Sequence, residues 1–214
     1  MMKPQLSPID KLINSFDKGL RTVFAEPQGT HRKNPARQVE ETSLSDADKQ
    51  LSIRLMRVNH AGEIAAQALY QGQALTAHAQ QVRDSMHQSA VEENDHLLWC
   101  EKRIQALGGN TSVLNPLWYI GSFTIGAVAG AVGDKWSLGF VAETEKQVIA
   151  HLDEHLQALP PDDQKSRAIL EQMKQDEAHH ATIALEAGGV PLPMPVRMVM
   201  KVTAKIMTST AYWV

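Results

Sequence analysis

Two stretches of this chain carry nearly the same word. One reads Glu92-Glu93-Asn94-Asp95-His96 and the other Asp176-Glu177-Ala178-His179-His180. Each is acid-Glu-x-x-His. Each lies in a run of helix-favouring residues that closes on a glycine pair, Gly108-Gly109 in the first and Gly188-Gly189 in the second. The repetition marks a duplicated helical hairpin. Positions three apart on a helix lie about 60° apart around its axis. Glu93 and His96 therefore leave one face a turn apart, as do Glu177 and His180. A carboxylate and an imidazole on adjacent turns can hold one metal ion. His179 lies roughly 200° from Glu177 and should face elsewhere. Glu92 and Asp176, four residues before the histidines, are the alternative partners on the same helices.

The remaining helical patterns supply the other half of such a site. Leu51, Leu55, Val58, Gly62, Ala65, Ala66 and Leu69 recur at three- and four-residue steps, predicting a helix over 45–79 with Ser43 or Ser45 as its N-cap. Further helices are expected over 82–107, 135–159 and 162–187. Four long helices of this kind make an antiparallel bundle. Di-metal carboxylate bundles take Glu-x-x-His from two helices and one Glu from each of the other two. In the first helix Glu63 stands among Gly62, Ile64, Ala65 and Ala66, where small neighbours leave room for a buried ion. In the third, Glu143 and Glu145 face nearly opposite ways, so only one can point inward. Glu63 precedes Glu93 by 30 residues; Glu177 follows Glu145 by 32 and Glu143 by 34, which favours Glu145.

Glu63, Glu93, His96, Glu145, Glu177 and His180 are thus the candidate ligands of a dinuclear centre. Oxygen and imidazole donors suit iron or manganese rather than a thiolate-seeking metal. Four buried carboxylates need cations to offset their charge. Other residues rank lower. His60, a turn before Glu63, could support a ligand from behind or be a core histidine. His151 and His155 could line an access path. Tyr70 reads as a packed aromatic, with a redox role as the alternative, and Cys100 as a packing residue.

The flanking segments point toward lipid. No charged residue occurs between Ile104 and Gly133. Leu117–Gly133 is shorter and richer in glycine than the roughly 20 apolar residues of a membrane span. It reads either as a buried crossover helix or as one that dips into a bilayer surface or packs on a lipid-like substrate. After Pro191, Pro193 and Pro195, the cations Arg197, Lys201 and Lys205 recur every four residues. Met198, Val199, Val202, Ile206 and Met207 lie opposite them, and Tyr212-Trp213 follows. This basic amphipathic pattern fits an interfacial helix, or a helix packed on its own bundle or a partner. Residues 1–20 form another amphipathic stretch, with Ile9, Leu12, Ile13, Phe16 and Leu20 on one side. Residues 25–45 are a polar linker or draped arm. Three regions follow: an arm over 1–45, the metal-binding bundle over 46–190, and a basic amphipathic helix over 191–214.

Charge and cysteine content exclude other classes. With 21 basic and 24 acidic residues the net charge is −3, and nothing points to nucleic acid. A single cysteine permits no internal disulfide and suits a reducing compartment. The first 20 residues lack the apolar run of a secretory signal, so the mature chain is expected to start near residue 1.

Four motifs, Asn-His-Ala-Gly-Glu at 59–63, Glu-Glu-x-x-His-Leu at 92–97, Glu-x₅-His at 145–151 and Asp-Glu-x-His-His at 176–180, resemble those of the demethoxyubiquinone hydroxylases over about residues 50–190. The resemblance implies an all-α, ferritin-like bundle with an apolar crossover helix and terminal amphipathic helices. It implies two iron ions on the same six residues, with Glu93 and Glu177 bridging. It further implies O₂ as co-substrate, NADH as candidate reductant, and the quinone itself as electron mediator. The substrate is a demethoxy-quinol with a prenyl tail. One oxygen atom enters its ring and the other leaves as water. A peripheral protein on the cytoplasmic face of a bacterial cell membrane is expected, with accessory ubiquinone-biosynthesis proteins as candidate partners. Leu152 stands where eukaryotic members often carry Tyr, so quinone and NADH contacts are not transferred to that patch. A ferritin-type iron store, or a di-iron oxidase of another substrate, would share the ligands but need no lipid-facing segments.

Overall fold

The computed structural model describes residues 7–214, apart from the side chains of Pro8, Lys11 and Leu12. The expected start of the chain, and Leu12 of the N-terminal apolar stripe, lie outside it. Among the described residues seven α-helices follow one another: α1 (Pro8–Phe24), α2 (Asp46–Thr76), α3 (Gln80–Ala106), α4 (Asn115–Val132), α5 (Asp134–Ala158), α6 (Gln164–Glu186) and α7 (Met194–Ala211). A 3-10 turn, Pro35–Gln38, lies between α1 and α2. The fold is all-α and ferritin-like.

Local chemistry sets the boundaries. Ser45 caps α2 by accepting the Asp48 N–H. Asp163 caps α6 by accepting the Ser166 N–H. No side chain of its own caps α3. Asp134, at the start of α5, instead accepts the backbone N–H groups of His78 and Ala79 just before it, at 2.9 and 2.8 Å. The glycine pairs end α3 and α6 identically. Gly109 N–H returns to the Ile104 carbonyl and Gly189 N–H to that of Ala184, with Gly108 and Gly188 in left-handed conformations.

Helices α2, α3, α5 and α6 form the bundle, and its core has two apolar layers. One contains Leu55 and Met56, Trp99 and Cys100, Leu152 and Leu159, and Ile169, Leu170 and Met173. The other contains Ala66, Tyr70 and Ala74, Met86 and Ala90, Leu138, Val141 and Ala142, and Ala184. Along α2 and α6 the chain runs from the first layer to the second; along α3 and α5 it runs back. Each hairpin is therefore antiparallel, and the two are inverted relative to each other. On every helix the candidate ligands fall between the layers. Cys100 is buried in the first layer with its sulfur 3.7 Å from Met173 Sδ.

The crossover helix α4 is neither wholly buried nor free. One face lies directly on α2. A Cβ on Gly126 would meet the Leu69 carbonyl oxygen at 2.3 Å, and one on Gly72 would meet that of Phe123 at 2.2 Å. Glycine is what allows these two backbones to touch. The other face leaves Leu117, Ile120, Val128 and Val132 more than half exposed. Helix α1 has the same inside-out character. Gly19, Thr22 and Val23 face the bundle, whereas Ile9, Ile13, Phe16 and Phe24 are exposed. On α7, Met198, Val199, Val202 and Ile206 are exposed too, and the packed part is its end at Ala211 and Tyr212. No helix among the described residues is long and apolar enough to cross a membrane.

Candidate metal centre

The four bundle helices deliver six side chains to the level between the apolar layers. Glu63 comes from α2, Glu93 and His96 from α3, Glu145 from α5, and Glu177 and His180 from α6. All six are at most 5 % exposed. Each Glu-x-x-His word points its pair inward, and His179 is exposed, as its angular position requires.

Two glutamates reach both imidazoles. Glu93 places one oxygen 2.9 Å from His96 Nδ1 and the other 3.2 Å from His180 Nδ1. Glu177 does likewise, at 3.1 Å from His96 Nδ1 and 3.2 Å from His180 Nδ1. Glu63 stands on the His96 side, 3.7 Å from its Nδ1. Glu145 accepts a hydrogen bond from the buried Tyr70 hydroxyl. Tyr70 is thus a packed aromatic with a polar contact to a candidate ligand, which its spacing from Glu63 alone did not reveal. Glu143 turns the other way and pairs with Arg197 of α7 at 3.0 Å.

The leading acid of each word has a role that a single helix cannot show. It does not pair with the histidine four residues on. Asp176 Oδ2 lies 2.8 Å from Nε2 of His96, on the other hairpin. Glu92 Oε2 lies 2.8 Å from Nε2 of His180, again on the other hairpin. Each imidazole is held at Nε2 by a carboxylate of the opposite repeat, leaving Nδ1 aimed at the centre. This is the support that metal-binding histidines ordinarily receive.

The charge balance reflects confinement. Burial raises the affinity of Glu63 and Glu145 for protons, reinforced by the neighbouring carboxylates. Burial opposes the ionised form of Glu93, but the two histidines outweigh it and keep its carboxyl well below the usual range. Burial likewise disfavours charged histidines. The surrounding carboxylates overcome this, raising His96 and pushing His180 up to about 12. The site therefore collects positive charge.

The donor set fits metal ions. Ligand atoms of Glu63, Glu93, His96 and Glu177 lie within 4.8 Å of one another. Glu63 Oε2 is buried without a hydrogen-bond donor, and Glu93 Oε1 has only the 3.2 Å approach of His180 Nδ1. Unpartnered carboxylate oxygens are costly in a protein interior. A divalent cation bound to them removes that cost and replaces the protons on the histidines. Glu145 and His180 add one more buried carboxylate and one more buried imidazole at the same level.

His60 and the pair His151–His155 lie outside this centre. His155 Nδ1 is 3.1 Å from Asn59 Oδ1, and its ring centre is 3.9 Å from that of His151. Arg32 bonds to Asp176, and nothing in the polar segment around it signals this in the sequence.

Buried carboxylates and imidazoles on a duplicated helical bundle define a ferritin-like protein with a carboxylate–histidine cluster able to hold a metal. The chain belongs to the family described as Ubiquinone biosynthesis protein COQ7, which its residues 50–211 match. It is 58% identical over 210 residues to a 3-demethoxyubiquinol 3-hydroxylase of Nitrosococcus oceani, covering 98% of each chain. Proteins of the same name from Nitrosomonas eutropha and Chromobacterium violaceum are 59% and 55% identical. The aligned regions cover 96% and 95% of this chain and 99% and 98% of theirs.

Proposed function

We propose that this protein hydroxylates the ring of a prenylated demethoxy-quinol in ubiquinone biosynthesis, the activity for which its relatives are named. Two iron ions would be held by Glu63, Glu93, His96, Glu145, Glu177 and His180. The observation that carries the reading is that Glu93 and Glu177 each present one oxygen to each histidine between two apolar layers. Bound iron would activate O₂, so that one oxygen atom inserts into a ring C–H bond and the other leaves as water, with NADH and a solvent proton as the candidate source of the two electrons and two protons required.

The chain's own residues provide binding, orientation and dryness. Glu93 and Glu177 hold the two positions together. Asp176 and Glu92 fix the imidazoles from behind, keeping each Nδ1 free to bind. Tyr70 holds its hydroxyl proton against Glu145. The apolar layers above and below keep bulk water from the centre.

The substrate's prenyl tail belongs in lipid, and the exterior suits that location. Helices α1, α4 and α7 turn apolar faces outward, and α7 adds exposed Lys201 and Lys205. We read the protein as peripheral to a bacterial cell membrane on its cytoplasmic side.

The test is turnover of the reconstituted protein with a demethoxy-quinol, NADH and ¹⁸O₂, with product read by mass spectrometry. One ¹⁸O in the product ring, absent with Glu177→Ala, is expected. Two irons per chain without labelled product would remove the quinol assignment. For the membrane reading, co-sedimentation with anionic lipid vesicles is expected to fall at least tenfold in the double variant Phe16→Glu/Val199→Glu. Undiminished binding would count against lipid contact by these faces.

A further inference from the structure

The arm between α1 and α2 is fastened to the bundle directly outside one of the two site histidines. Thr30 donates its backbone N–H to Asp95 of α3 at 2.7 Å, and its hydroxyl donates to the same carboxylate. Two residues later, Arg32 Nη2 donates to Asp176 Oδ2 at 2.7 Å. The guanidinium lies 5.2 Å from the centre of the Trp99 ring, which is itself 5.5 Å from that of His96. Between the two anchors His31 has φ +70°, a left-handed conformation that costs a non-glycine residue free energy. The strain is accepted where both neighbours are tied down.

The Asp176 oxygen that receives Arg32 is the one that holds His96 Nε2. Its other oxygen accepts from Gln172 Nε2 at 3.0 Å. Asp176 is therefore held from three sides. The equivalent group behind His180 is not. Glu92 is a longer carboxylate with a third of its side chain exposed, and its second oxygen accepts only from Gln88 Nε2, at 2.8 Å. Among the described residues no Arg or Lys pairs with it. The twofold likeness of the hairpins fails at this point.

We propose that Arg32 is a positioning residue that makes the two metal positions unequal. By pinning Asp176 it fixes the His96 imidazole, and the position served by His96 holds its ion more tightly than the position served by His180. A carboxylate locked by a guanidinium keeps one orientation of the imidazole, so less freedom is lost when Nδ1 binds. The Asp176 charge, standing between guanidinium and imidazole, offsets the repulsion of Arg32 for the cation. The proposal rests on the two-metal reading of the site.

The test is anaerobic calorimetric titration of the full chain with Fe(II) alone. The wild type is expected to fill in two resolved steps. In Arg32→Met the tighter step weakens about tenfold, the size usual for a residue behind a metal-binding histidine, and the weaker step is unchanged. Gln88→Ala leaves the tighter step intact. A role confined to folding would instead lower the thermal midpoint and weaken both steps together. Should Arg32→Met fail to fold, Arg32→Lys carries the test, because it keeps a cation but loses the planar fork, and it weakens the tighter step alone by about threefold. Unchanged steps in a folded variant, or two equal steps in the wild type, overturn the proposal. Fewer than two ions bound by the wild type overturn the two-metal reading itself.

Discussion

Tyr70 and Glu145 show what one contact contributes when both partners are buried. The phenol donates to a carboxylate whose proton affinity burial has already raised, and Glu177 and Glu93 raise it further. Tyr70→Phe removes the donor and leaves the oxygen without a partner. Loss of about 1–3 kcal/mol is expected. In a chain of this size each kcal/mol lowers the melting midpoint by roughly 2–4 °C. Thermal denaturation followed by circular dichroism measures it, and an unchanged midpoint would show the contact to be energetically neutral. Four of the six ligand candidates, Glu93, His96, Glu177 and His180, could be read from local spacing, because Glu-x-x-His places both side chains on one face wherever the helix lies; Glu63 was picked out by its small neighbours. The preference for Glu145 over Glu143 came from the lengths between helices, and Glu143 in fact meets Arg197. The alternative pairing of Glu92 and Asp176 with the histidines of their own helices is not formed, and their contacts across the hairpins had no signal in the sequence. Their partners lie 88 and 80 residues away, a distance that no helical period encodes.

Among the elements, α4 has the clearest sequence logic and the most ambiguous periodicity. Its apolar, glycine-rich run reads either as a buried crossover helix or as one that dips into a bilayer surface or packs on a lipid-like substrate. In the structure one face of α4 presses Gly126 against Leu69 of α2 while the other stays exposed. Gly126→Val would drive a branched side chain into backbone, with an expected cost of about 1–3 kcal/mol. Gly121, on the same helix, has open space around it. Gly121→Ala is therefore expected to be neutral or slightly stabilising. Equal melting midpoints for the two variants would refute close α2–α4 contact. Periodicity located the bundle helices to within a few residues. It could not say that α1 and α4 turn apolar residues outward, because an amphipathic pattern reports two faces and not which one meets the core.

The whole molecule buries histidines beyond those of the candidate metal centre, and they set an acid limit. Burial holds His60 down to about 4; for His155, burial and then the charge of His151 lower it to about 3. The unfolded chain titrates them near 6.5. Below 6.5 the unfolded state binds more protons than the folded one. The stability conferred by the neutral histidines is therefore complete above that pH. It is lost as pH falls toward their folded values, at about 1.4 kcal/mol per unit for each group within the window. His155→Gln is expected to flatten urea-unfolding stability between pH 6 and 4.5 by up to that slope. Parallel pH profiles for variant and wild type would mean that His155 titrates alike in both states.

Local order in this protein follows from residues near one another in the chain. Helical periods, the Ser45 cap, the paired glycines and the two Glu-x-x-His faces depend on neighbours within about one or two turns, so the sequence by itself determined four bundle helices and the residues turned toward their axis. Which carboxylate stands behind which imidazole depends on the register between helices, and hence on how the two apolar layers interdigitate. The placement of Arg32 depends on a chain segment with no helical period, held by individual hydrogen bonds to α3 and α6. Those pairings join residues 65 and 144 positions apart. Only the tertiary structure decides them, because their energy exists only once the bundle has brought the groups within bonding distance.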